Sequence, residues 1–150
     1  MSLTVTMENQ PEIRAWSAPI MGVEDLANDM VMIGVKDRDG NLGAAIGFNA
    51  FYGNTASIHV ASNNARRWLD KSVLRAVFGY AFIHLKIERL NLYVPPWNKE
   101  AQILALKIGG VPEGYMREAD GPGQDMVIYG ILKRECPWVP AIREMEQADG

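Results

Sequence analysis

The sequence predicts an α/β (α+β) mixed sheet: an antiparallel meander, a parallel strand–helix–strand crossover with splayed central strands, and a C-terminal hairpin. Three observations predict it. Between residues 30 and 61, apolar residues recur with a period of two, broken by turn-forming clusters. From Leu69 to Leu85 the period lengthens to nearly four. A short apolar run, Leu90 to Val94, follows and is cut off by Pro95-Pro96.

Composition sets the bounds. The chain has 150 residues, 48% of them hydrophobic, which suits one domain with a substantial core. Fifteen basic and eighteen acidic residues leave a net charge of -3, so nothing draws the whole chain to nucleic acid. Cys136 is the single cysteine; an intrachain disulfide is excluded and a reducing compartment is expected. His59 and His84 are the two histidines, too few with one cysteine for a structural zinc site of the usual kind. No apolar run reaches the roughly 18 residues of a membrane span, and the start lacks a signal-peptide pattern. The expectation is a soluble cytoplasmic protein with no membrane partner.

Along the chain, residues 1–10 are expected to be poorly ordered. Pro11 to Met21 reads as a short helix with Ile13, Trp16 and Ile20 on one face; Pro11 suits its first turn and Pro19 ends or bends it. Met30 to Lys36 reads as a strand, and Asp37-Arg38-Asp39-Gly40-Asn41 as a hairpin turn. Leu42 to Tyr52 alternates, with Leu42, Ala44, Ile46, Phe48, Ala50 and Tyr52 on one face. Gly53-Asn54 turns the chain into Thr55 to Ala61, where Ile58 and Val60 face away from Ser57, His59 and Ala61. The long helix carries two stripes, Leu69, Val73, Val77, Ala81 and Leu74, Phe78, Phe82, Leu85, an arc wide enough to lie on a sheet. Gly79 within it suggests close packing. Leu90 to Val94 pairs parallel to Thr55 to Ala61 through a right-handed crossover. Asn98 caps a helix running to Ile108, and Gly109-Gly110 stops it. Val111 to Ala119 and Met126 to Lys133 form the last two strands, and the tail after Cys136 adds a short helix.

Two local features carry chemistry. The turn Asn63-Asn64-Ala65-Arg66-Arg67 precedes the long helix. A helix N-terminus offers unpaired amides to an anion, and Arg66 and Arg67 add guanidinium forks that match phosphate oxygens. The alternative is an asparagine-capped helix with two solvated arginines. Pro95 and Pro96 lack backbone N–H groups, so the parallel ladder fails at that end and leaves a wedge where a linear amide-bearing arm pairs like an added strand. The alternative is a strand that simply ends.

With these residues in view, the chain resembles the GNAT superfamily of N-acetyltransferases from about Val31 to Cys136. The phrases that carry the resemblance are the helical run from Val73 to Phe82, Asn98-Lys99-Glu100-Ala101, the run from Glu113 to Glu118, and the ending from Tyr129 to Cys136. That ending is similar to small GNAT-like proteins of phages and prophages. The resemblance implies acetyl-CoA, or another acyl-CoA, held between the strands flanking the long helix. Contacts carried over fall on Ile58, Val60 and Ala61, on the turn through Asn63, Asn64, Arg66, Arg67, Trp68 and Leu69, and on Asn98. Two departures stand out. Trp68 and Asp70 occupy positions that are glycines in the family's phosphate turn, and glycine lets phosphate approach the backbone. Ala105 occupies the slot where many relatives carry a tyrosine that protonates the leaving thiolate.

Among candidate catalytic residues, His59 is the base by type, with an unperturbed pKa near 6.5; its alternative is an ordinary strand histidine. Asn98 holds the donor or substrate amide, or acts only as a cap. Glu24, Asp25 and Asp29 lie in the segment that covers the acceptor site in this fold, where they attract a cationic amine or are merely solvated. The functional reading is an acyl-CoA-dependent N-acyltransferase acting by direct attack of a primary amine, on a small molecule or peptide, and a homodimer is compatible with it. The alternative is a catalytically silent GNAT-fold binding or assembly protein, of the kind found in a virion.

Overall fold

The structure is a computed structural model that describes residues 3–63 and 68–139. Its elements run β1 (Thr4–Thr6), α1 (Gln10–Ile20), β2 (Val31–Lys36), β3 (Leu42–Tyr52), β4 (Thr55–Ser62), α2 (Lys71–Gly79), β5 (Arg89–Val94), α3 (Lys99–Lys107), β6 (Val111–Met116) and β7 (Met126–Leu132). The strands form one mixed sheet in the order β1-β2-β3-β4-β5-β7-β6. β4 and β5 are parallel, and every other neighbouring pair is antiparallel. Part of the segment expected to be poorly ordered is a strand, β1: Thr4, Val5 and Thr6 pair with Lys36, Val35 and Gly34. Three residues with no periodicity of their own become a strand because an open edge is available.

Period-two alternation along β3 produces two cores. Ala44, Ile46 and Phe48 pack with Val73, Leu74, Val77 and Phe78 of α2. Ala45 packs on the other face with Met32 and with Ile13 and Ala18 of α1. α1 starts where Asn9, at φ 57, accepts the Glu12 amide on its side chain. Pro19 is accommodated in its last turn.

α2 begins later than expected. Its N-cap is Asp70, whose side chain accepts from the Ser72 amide at 2.6 Å, so the asparagine cap weighed as the alternative reading of this turn is not what starts the helix. The helix passes into a π-helical turn, Tyr80–His84, with the Tyr80 and His84 rings stacked at 5.1 Å. Gly79 is not a forced close approach; a Cβ there would stand 3.7 Å from Val139, an ordinary contact. α3 is capped by Asn98, which accepts the Ala101 amide at 3.1 Å. It stops at Gly109, at φ 107, and Gly110, where a Cβ would stand 2.7 Å from the Ala105 carbonyl oxygen.

β4 and β5 part in the middle of the sheet. They pair only at Thr55–Arg89, Ala56–Leu90 and Ser57–Asn91, although β4 runs on to Ser62 and β5 to Val94. The split begins before Pro95, so the prolines end β5 without causing it. Each strand follows its other neighbour. β5 stays paired with β7 from Arg89 to Val94. β4 stays with β3, which carries a bulge between Asn49 and Tyr52 beside the last shared pairs, and a bulge bends and twists a strand.

Candidate functional site

The parted strands open a cleft of about 680 Å³. Ile58, His59 and Val60 of β4 and Leu92, Tyr93 and Val94 of β5 form its sides. Pro95, Asn98, Ala101 and Leu104 line it too, as do Met21, Val23, Asp25, Leu26 and Met30 between α1 and β2 and Met116 and Met126 of β6 and β7. Arg14 pins the segment after α1, donating to the carbonyls of Leu26, Ala27 and Met30 at 2.8–2.9 Å.

His59 and Tyr93 lie on one face of the sheet, each two residues beyond the paired Ser57 and Asn91. The His59 ring is half-buried, with Nε2 2.7 Å from Oδ1 of Asn49. Burial lowers its pKa from 6.5, opposed by the nearby Asp29 carboxylate. Its partner across the ladder is Gly47, against whose bare Cα the thioethers of Met30 and Met32 pack. Among the described residues, Asp25, His59 and Tyr93 are the titratable groups lining the cleft.

The structure brings Ile58, His59, Val60 and Asn98 to the cleft. Ala61 is buried in the sheet and Leu69 packs against the core beneath α2. Trp68 is only 6% exposed and belongs to that core, so its indole neither obstructs the cleft nor lines it. Asn63 is exposed after β4, its amide donating to the Gly43 carbonyl. Asn64, Arg66 and Arg67 lie outside the described residues. Ala105 is fully buried, so α3 presents Asn98, Ala101 and Leu104 to the cleft and no phenol.

The first turn of α2 answers the question raised by Asp70. The Ser72 hydroxyl and the Ser72 amide both donate to its carboxylate and hold its pKa below the usual range. A carboxylate thus already takes up amide capacity that an anion would use. Cys136 is buried, and burial pushes its thiol pKa up, the opposite of activation. No group of three or more His, Cys, Asp or Glu side chains suited to a metal ion occurs among the described residues. No helix among them is long and apolar enough to cross a membrane.

Sequence reasoning gave Tyr93 no role and missed Asn49 and Arg14. Tyr93 was legible in part, because its two-residue offset from Asn91 mirrors that of His59 from Ser57 once the strand register is known. Asn49 and Arg14 act across elements and left no local signal.

Solved structures similar to this chain are N-acetyltransferases. A variant of the spermidine N-acetyltransferase SpeG from Vibrio cholerae superposes with a TM-score of 0.71 at 17% identity, over 87% of this chain and 94% of that one. A dodecameric spermidine N-acetyltransferase from Vibrio cholerae gives 0.69 at 18% identity, over 87% and 94%. The ribosomal-protein-S5-alanine acetyltransferase from Vibrio fischeri gives 0.60 at 12% identity, over 75% and 66%. No family model matches the sequence, and no curated protein matches it. The mixed sheet with its parted central strands is the GNAT fold expected from the sequence.

Proposed function

We propose that this chain is an acyl-CoA-dependent N-acyltransferase, moving an acetyl group from acetyl-CoA to a primary amine by direct attack. The observation that carries the proposal is the parting of β4 and β5 after Ser57 and Asn91, which opens a cleft with His59 and Tyr93 on one face.

The cleft suits the amide-bearing arm of the donor. Backbone groups of β4 and β5 beyond the last pair have no ladder partner in the other strand, and Ile58, Val60 and Leu104 supply apolar walls. The N-terminus of α2 suits the donor's phosphates less well, because Asp70 occupies it. Asn98 spends its Oδ1 on the cap and keeps its Nδ2 hydrogens for a carbonyl of the arm.

The chain's own groups then divide the proton work. Asp25 draws a cationic amine into the cleft. Burial favours the neutral form of the His59 ring, so it can accept the amine proton, directly or through water. The amine nitrogen attacks the thioester carbonyl carbon, the C–S bond breaks, and its electron pair leaves with sulfur. Tyr93 protonates the sulfur in place of the phenol that Ala105 removes from α3, and the second proton that the nitrogen sheds on becoming an amide returns to the Tyr93 oxygen. Since the thioester is already activated, positioning supplies much of the remaining acceleration.

A second reading, a catalytically silent binding module, draws on Asp70 and Ala105. Release of free thiol from acetyl-CoA, followed with a panel of aliphatic, amino-acid and peptide amines, decides between them. Amine-dependent release, reduced about 10²–10⁴-fold in His59→Ala, supports the transferase. Absence of release with every amine supports the binding module.

A further inference from the structure

We infer that Asp29 and Asn49 are positioning residues that hold His59 with its proton on Nε2 and leave Nδ1 as the nitrogen that accepts the substrate proton. The catalytic half rests on the transferase reading; the placement of the proton stands on geometry alone.

The contact between His59 and Asn49 decides the tautomer. The atom of Asn49 facing Nε2, at 2.7 Å, is the amide oxygen. An amide oxygen only accepts, so Nε2 must carry the hydrogen. In the neutral ring the lone pair then belongs to Nδ1. Asn49 is able to do this because of where β3 stops being regular. It is the last residue of β3 in register with β4 before the bulge, opposite Ser57.

The next residue, Ala50, adopts φ 52, a left-handed conformation that costs a non-glycine residue free energy. Its amide donates to Oδ2 of Asp29 at 3.0 Å. Asp29 lies in the segment between α1 and β2, so this bond ties that segment to the bulge immediately after Asn49. The same carboxylate stabilises the imidazolium electrostatically, against the effect of burial. Asp29 therefore acts on His59 twice, once through backbone geometry and once through charge.

The groups around the ring are consistent with this assignment. Asp25, from the same segment as Asp29, and Tyr93, from β5, line the cleft with His59. Thioethers of Met30 and Met32 pack beside its ladder partner and offer no competing strong acceptor. Asn49 is thus the polar partner of the ring among the described residues.

Long-range proton–nitrogen NMR of the histidine rings, recorded across pH, tests the assignment; exposed His84 is the internal reference. Wild type, Asp29→Asn, Asp29→Ala and Asn49→Ala are compared. The expected wild-type spectrum shows neutral His59 as a single Nε2–H tautomer. Asp29→Asn keeps an acceptor for the Ala50 amide, so the tautomer is retained while the titration midpoint moves to lower pH. Asp29→Ala and Asn49→Ala release the ring and give mixed tautomers. An Nδ1–H tautomer in wild type, or a midpoint unmoved in Asp29→Asn, overturns the inference whether or not the protein is an enzyme. In turnover, the acid limb of kcat/KM follows the NMR midpoint in Asp29→Asn, and kcat in Asn49→Ala falls by up to about 10²-fold. An active wild type whose rate is indifferent to Asn49→Ala removes the catalytic half. An inactive wild type removes the transferase reading and leaves the NMR result to decide the rest.

Discussion

Occupying the gap between β4 and β5 should stabilise the protein by an amount that its geometry bounds. Beyond the last shared pair, β4 continues from Ile58 to Ser62 and β5 from Leu92 to Val94. Alternate residues of a parallel strand face the neighbour, so about two residues of β4 and one or two of β5 offer backbone groups to a ligand. A linear arm with two amides can make roughly three such bonds, each contributing about 0.5–1.5 kcal/mol net. That is roughly 2–5 kcal/mol before apolar burial, enough to make the arm a main anchor of the donor. At about 100 times its dissociation constant, a ligand stabilises the native state by about 2.7 kcal/mol. For a chain of this size the unfolding midpoint then rises by roughly 5–10 °C. The assay is thermal unfolding with acetyl-CoA, with free CoA, and with a truncated acetyl-pantetheine that lacks the nucleotide. Ala101→Phe, which places a ring at a cleft-lining position of α3, should abolish the shift. No shift at millimolar acetyl-CoA, or an undiminished shift in Ala101→Phe, would refute the placement of the donor in this gap.

Three further outcomes follow from individual contacts. Because burial depresses the His59 pKa in the folded state, its stabilising contribution is complete above the unfolded value of about 6.5 and is lost as pH falls through the folded one. The midpoint drop between about pH 7.5 and pH 5.5 should accordingly be smaller in His59→Gln than in wild type, by calorimetry; an equal drop would count against a buried neutral ring. Asp70→Asn keeps an N-cap while removing the charge, and should tighten acetyl-CoA by roughly two- to fivefold without changing acetyl-pantetheine binding. Equal effects on both donors, read by calorimetric titration, would show that the phosphates lie away from α2. Gly110→Ala would press a Cβ against the Ala105 carbonyl, a backbone atom that cannot swing aside. It should cost about 1–3 kcal/mol, seen as a reduced denaturation midpoint, and an unchanged midpoint would mean that the α3 terminus yields.

Elements whose signal is local were legible in the sequence. The alternation of β3, the stripes of α2 and the Asn98 cap each depend on neighbours within a few residues, and the structure has them. So was one side of the cleft, because His59 and Val60 fall in a strand whose position next to the crossover helix follows from element order alone. Local rules also misdirected the reading. Pro95-Pro96 marks the end of β5 but not the start of the split, and asparagines before α2 look like caps until Asp70 is seen making the bond.

Sequence patterning alone thus indicated the order of elements from α1 to β7, the stripe that α2 buries and a candidate base, since these depend on periodicity and on single residue types. The rest required tertiary structure. The parting of β4 and β5 depends on which other strand each one follows. The shared face of His59 and Tyr93 depends on a register set 34 residues apart, between Ser57 and Asn91. The link from Asp29 through Ala50 and Asn49 to His59 depends on a bulge that brings three separate stretches within hydrogen-bonding distance. Contacts of that kind belong to the packed chain, because the residues that make them are brought together only when the sheet closes around them.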